Sequence, residues 1–206
     1  MKFWPREYKI ILAMKIKLAI FDLDGTVVEN DYDWQAIRKE LGVEVGSILA
    51  YLDSLPEPVR SEKYALLEAH EKQQTEKAVV KEGMRELLGF LQEKRIKKAL
   101  VTNNSAENVN YLLGKFELEF DLVLTRESGL HKPAGAPFRA VIEQFKASPE
   151  ETLVVGDTNY DLLAAKESGI SRVFILKSQM TPAVMDGEEI VSSVTELTRI
   201  IERLLG

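Results

Sequence analysis

The sequence predicts an α/β fold: a parallel sheet between two layers of helices, with a small all-helical cap inserted after the first strand. Two observations predict the sheet. Short apolar runs rich in β-formers stop abruptly in polar loops, and between them lie helix-length segments with apolar residues at i, i+3, i+4 and i+7. A third observation predicts the cap. About fifty residues after the first strand are helical in pattern throughout, with no strand among them.

Met1 to Ala13 read as an N-terminal extension, because Met14-Lys15-Ile16-Lys17-Leu18 looks like a chain start before a strand; the alternative is an added edge strand at Tyr8 to Ala13. The first core strand is Lys17 to Phe21, running into Asp22-Leu23-Asp24-Gly25. The cap spans 30–80, with helical faces at Trp34, Ile37 and Leu41, at Ile48, Leu49, Leu52 and Leu55, and at Tyr64, Leu67 and Glu71. Gly42, Gly46 and Pro56-Glu57-Pro58 punctuate it. The core is 14–29 together with 81–206. It resumes with a helix on Met84, Leu87, Leu88 and Leu91. The strand Ala99 to Val101 then runs into Thr102-Asn103-Asn104-Ser105, and Ser105 caps a helix over Ala106 to Phe116. Leu122 to Leu124 runs into a polar loop ending at Gly129, and Phe138, Val141, Ile142 and Phe145 share a helix face. Leu153 to Val155 runs into Gly156-Asp157-Thr158-Asn159; Leu162, Leu163 and Ala165 share the next face; Arg172 to Leu176, after Gly169, is a fifth strand-like run. Right-handed βαβ units of this kind build a Rossmann-like three-layer core. Ligands bind outside the carboxyl ends of the strands in such sheets, so four polar loops are brought to one edge.

Composition narrows the chemistry. Among 206 residues there is no cysteine and there are two histidines, His70 and His131. That excludes a disulfide scaffold, a thiolate zinc site and a Cys nucleophile. A net charge of −6, with no basic block, argues against nucleic acid as a partner. The longest apolar runs are far short of the ~20 residues of a membrane span, so no membrane partner is expected and the location expected is cytoplasmic. Any metal should be a hard cation held by oxygen. At the strand ends, Asp22 and Asp24 form one acidic pair and Asp157 and Asp161 another; Thr102 adds a hydroxyl and Lys132 an ammonium. Carboxylates, a hydroxyl and a lysine converging on one edge suit a divalent cation and an anionic ligand.

These residues resemble the four ordered motifs of the haloacid dehalogenase superfamily. They are Asp22-Leu23-Asp24-Gly25-Thr26, Thr102 closing its strand, Lys132 in His131-Lys132-Pro133, and Gly156-Asp157-Thr158-Asn159-Tyr160-Asp161. The resemblance covers Lys15 to about Leu205, and the cap matches the family's first cap class, on the small side. It implies a Mg²⁺-dependent phosphatase acting on a small phosphorylated metabolite, phosphoglycolate-phosphatase-like. Asp22 would be the nucleophile and Asp24 the acid and base. Mg²⁺ would be held by Asp22, the Asp24 carbonyl and Asp157, with Asp161 in support. Thr102, Asn103 and Lys132 would bind phosphate. Asp24, two residues after the nucleophile, fits phosphatases and phosphomutases and excludes dehalogenation. A phosphomutase and a non-catalytic phosphate-binding module are the alternatives. One departure is Gly135, where relatives carry a second proline.

Other residues are read more plainly. His131 is expected as a solvated loop residue and His70 as exposed on a polar cap helix. The run Glu93 to Lys98 reads as a helix end. Asn103 and Asn104 fit a backbone-bonding turn as well as a substrate contact. Arg38 and Tyr32 on the cap are candidate substrate contacts, Arg38 for a carboxylate, and Arg126 could reach the cleft. The expected assembly is a monomer or homodimer.

Overall fold

The structure is a computed structural model that describes residues 15–177 and 189–205, so the expected strand at Tyr8 to Ala13 lies outside the described residues. The sheet has six strands: β1 (Leu18–Phe21), β4 (Lys97–Val101), β5 (Leu122–Leu124), β6 (Thr152–Gly156), β7 (Arg172–Leu176) and β8 (Glu189–Val191). Their order is β5-β4-β1-β6-β7-β8, and every pairing is parallel. β1 therefore sits centrally, with β4 on one side and β6 on the other, which puts the loops after all three at one edge.

The pleat decides which layer each side chain joins. Ala19 and Phe21 of β1 pack under α4 (Met84–Glu93), α5 (Ala106–Phe116) and α8 (Val194–Leu205), through Leu87, Leu91, Leu112, Leu197 and Ile201. Leu18 and Ile20 point the other way, onto Phe138 and Val141 of α6 (Ala136–Phe145) and Ala164 and Ala165 of α7 (Asn159–Glu167). Fully burying a side chain the size of Phe21 or Phe138 contributes about 1.5–3 kcal/mol, so both layers hold the sheet. The expected face of α7 is rotated: Leu163 is 45% exposed while Ala164 and Ala165 are fully buried. The small pair lets α7 lie close to the sheet.

The cap has its own apolar cluster. α1 (Trp34–Leu41), α2 (Ile48–Asp53) and α3 (Val59–Lys77) pack Ile37, Leu41, Leu49, Leu52 and Leu67 together. It is not all-helical at its neck. β2 (Val28–Glu29) pairs antiparallel with β3 (Val79–Val80), where the chain leaves and re-enters the core. Among the described residues, no helix is long and apolar enough to cross a membrane.

Candidate active site

β1 ends at Phe21, and the Asp22 N–H donates to Val155 O of β6 at 2.9 Å, fixing the carboxylate at the sheet edge. The chain then folds into a tight turn in which Gly25 N–H donates to Val28 O at 2.8 Å. Gly25 has φ +80°, and a Cβ there would stand 2.1 Å from Asp157 Oδ2. Only glycine meets both demands, so the turn and the approach of Asp157 are one feature.

Lys132 ties the edge together. Its Nζ lies 2.5 Å from Asp22 Oδ1 and 2.6 Å from Asp161 Oδ1, in a pocket where the lysine is 3% exposed. Burial alone would push its pKa down, but Asp161 and Asp22 outweigh burial and hold it above the ordinary lysine value. The lysine loop is clamped from behind: Asn103 Nδ2 donates to Lys132 O at 2.8 Å, and Lys132 N–H donates to Asn103 Oδ1 at 3.0 Å. The Asn103 side chain therefore positions Lys132, and any phosphate contact from Asn103 falls to its main chain. Gly135 is also used: its N–H donates to Glu167 Oε2 at 2.7 Å, a bond a proline there could not make.

Asp161 closes the far side. Its Oδ2 accepts from Thr158 N–H at 3.2 Å and Thr158 Oγ1 at 3.0 Å, a capping box at the start of α7, while Oδ1 faces Lys132. Oxygens of Asp22, Asp157 and Asp161 all lie within 4.8 Å of one another. Three buried carboxylates with one ammonium leave excess negative charge, which suits a hard divalent cation. The strain shows on Asp22, whose pKa burial raises well above the usual carboxylate range against the pull of Lys132, helped by Asp161, Asp157 and Asp24.

Asp24 stands apart from that trio. Its Oδ2 accepts from Asn104 Nδ2 at 2.9 Å and its Oδ1 from Asn30 Nδ2. Burial raises its pKa, with Asn104 and Asn30 opposing. A cleft of about 220 Å³ opens above these groups; Asp22, Asp24, Thr102 and Lys132 line its core side and Trp34, Arg38 and Glu71 its cap side. Arg38 is thus at the cleft, with Nη1 donating to Gly46 O at 2.9 Å. Tyr32 does not line it; its ring stacks on Trp34 at 4.5 Å, and its buried hydroxyl faces Asp24, Glu71 and Asn104.

Arg126 takes a different place from the expected one. It is 6% exposed and its Nη1 donates to Glu71 Oε1 at 2.7 Å, joining the core to α3. His131 is not a solvated loop residue either: half-buried, it lies 3.1 Å from Arg126 O through Nε2 and 3.6 Å from cap Asp53 through Nδ1. His70 is half-buried and pairs with Glu40 at 2.6 Å. Sequence reasoning missed Asn30 as a site residue; it read Asn104 as a turn residue or substrate contact, not as a partner of Asp24, and placed Glu71 only on a cap helix face. Glu71 falls on the apolar spacing of α3 after Leu67, which is the one signal that could have marked it as buried.

The family model for haloacid dehalogenase-like hydrolases matches residues 29–175. The chain belongs to that family. A protein named pyrophosphatase PpaX from Anoxybacillus flavithermus is 31% identical over 76% of this chain and 81% of its own length. A pyrophosphatase PpaX from Bacillus mycoides is 25% identical over 94% of this chain and all of its own. A solved structure named a predicted phosphoglycolate phosphatase, from Haemophilus somnus, superposes with a TM-score of 0.70 at 21% identity, covering 90% of this chain and 98% of its own. That likeness is one of fold: the hydrolase core with a cap over the strand ends.

Proposed function

We propose that this hydrolase is a Mg²⁺-dependent phosphatase of small phosphorylated metabolites, working through an aspartyl-phosphate on Asp22. The observation that supports it most is the buried Asp22 carboxylate at the cleft, 2.5 Å from Lys132 Nζ and grouped with Asp157 and Asp161. Asp22 attacks phosphorus, and the bond from phosphorus to the leaving oxygen breaks. Asp24 gives that oxygen a proton, then takes one from the water that attacks the acyl phosphate and releases inorganic phosphate. Thr102 and Lys132 hold the phosphoryl oxygens while charge moves across them. Mg²⁺ would be held by Asp22, Asp157 and the main chain of Asp24, with Asp161 behind them, and when bound it neutralises the phosphate and the crowded carboxylates.

The second reading concerns the leaving group. Relatives named pyrophosphatase favour a phosphoanhydride, whose leaving group is phosphate itself. The test is a panel of phosphate monoesters, with phosphoglycolate and inorganic pyrophosphate included, assayed with Mg²⁺ and again with EDTA. Hydrolysis that stops in EDTA and returns with Mg²⁺ is expected; turnover indifferent to metal contradicts the carboxylate site. Pyrophosphate preferred over every monoester would move the substrate class to phosphoanhydrides.

A further inference from the structure

We propose that Asn104 is the positioning residue for the proton-transferring Asp24, holding its carboxyl in line with the leaving oxygen. The inference rests on the phosphatase reading above. Asn104 lies two residues past Thr102 and is 5% exposed. Its Nδ2 donates to Asp24 Oδ2 at 2.9 Å, across 80 residues of sequence. Its Oδ1 accepts from the Ser105 N–H at 2.7 Å and from Asn108 Nδ2 at 3.2 Å.

A backbone N–H can only donate, so the atom beside Ser105 must be the amide oxygen, and the amide NH₂ must face Asp24. Asn104 cannot turn over without losing bonds on both sides. Asn108 is 7% exposed in the first turn of α5, and its own N–H is capped by Ser105 Oγ at 3.3 Å. The start of α5 thus grips the amide, and the amide grips the acid.

The two oxygens of Asp24 are held unequally. Oδ2 is bound by a buried amide locked into the core. Oδ1 is bound by Asn30, half-buried at the start of the cap segment. Of the two amides, Asn104 lines the cleft beside Asp24 and keeps the carboxyl from rotating where a substrate would lie. In the step itself, an Asp22 oxygen bonds to phosphorus, the bond from phosphorus to the leaving oxygen breaks, its electron pair stays on that oxygen, and the proton on the Asp24 carboxyl moves there. An acid a few tenths of an ångström out of line loses this contribution, which is worth about 10²–10⁴ in rate.

A merely structural role for Asn104 would slow all substrates alike. A positioning role slows those that need the proton. The p-nitrophenolate ion leaves readily without one, whereas the alkoxide from glycerol phosphate does not. The readout is kcat/KM, which reports the phosphoryl-transfer step, for both substrates with Mg²⁺. For Asn104→Ala the expected loss is about 100-fold or more on glycerol phosphate and less than about tenfold on p-nitrophenyl phosphate. Asn104→Asp keeps the acceptor for Ser105 and Asn108, sets a carboxyl against Asp24, and gives the same selective loss. If Asn104→Ala folds poorly, Asn108→Ala loosens the amide from behind and gives a smaller loss with the same selectivity. Equal losses on both substrates, or none, in variants of an active enzyme overturn this inference alone. A wild-type protein that hydrolyses neither substrate overturns it together with the phosphatase reading.

Discussion

Asp22 and Asp157 were legible as charges directly at the ends of apolar strands, and Asp161 and Lys132 as charges in the segments that follow such strands, where burying a charge demands a partner. The residues that aim them were not. Asn103 clamps the Lys132 main chain and Asn30 and Asn104 hold Asp24, yet an asparagine in a loop carries no periodicity and no charge pattern. The substrate side also turns on single residues. Arg38 lines the cleft and has one Nη on the Gly46 carbonyl, with Tyr160 Oη donating to the same carbonyl at 3.1 Å. If its guanidinium reads a substrate carboxylate, Arg38→Ala costs about 10–100-fold more in kcat/KM on phosphoglycolate than on p-nitrophenyl phosphate, the worth of a charge-assisted hydrogen bond. Equal losses would assign Arg38 to the shape of the Gly46 loop instead.

Between elements, the contact that matters most is the one from α3 to the loop after β5. Glu71 is 3% exposed and Arg126 6%, and Glu71 Oε2 has no hydrogen bond among the described residues. Burial pushes the Glu71 carboxyl up to about 7, more than Arg126 pulls it down. The folded protein therefore binds a proton here that the unfolded chain, with an ordinary value of 4.5, has already released. This contribution to stability is full below the ordinary value and is lost as pH rises through about 7. Glu71→Gln removes the dependence. Its stability relative to wild type, from urea unfolding, should rise by on the order of 3 kcal/mol between about pH 4 and about pH 8. A difference that stays flat across that range would mean that Arg126 fully offsets burial. Short elements were the ones the sequence concealed at this scale. β2 and β3 have two residues each and β8 three, too few for an alternation to show. Lys98, read as part of a helix end, is a buried strand residue whose ammonium donates to Gln92 at 2.7 Å.

At the scale of the molecule, the parallel core, the inserted cap and the meeting of four loops at one edge all followed from alternating periodicities and the handedness of βαβ units. What periodicity could not give is how the cap sits on the core. That depends on Arg126 with Glu71, His131 with Asp53 and Tyr160 with Gly46, pairs far apart in sequence that no periodicity links. The assembled whole places one buried carboxylate, Asp22, on the wall of the cleft beside Lys132. The direct test is to mix the protein with radiolabelled substrate and Mg²⁺, quench in acid during turnover, and map the label by peptide mass spectrometry. Phosphate bound covalently to the peptide bearing Asp22, and absent from Asp22→Asn, is the result expected. Steady turnover with no label on Asp22 would mean that water attacks the substrate directly, and would contradict the account.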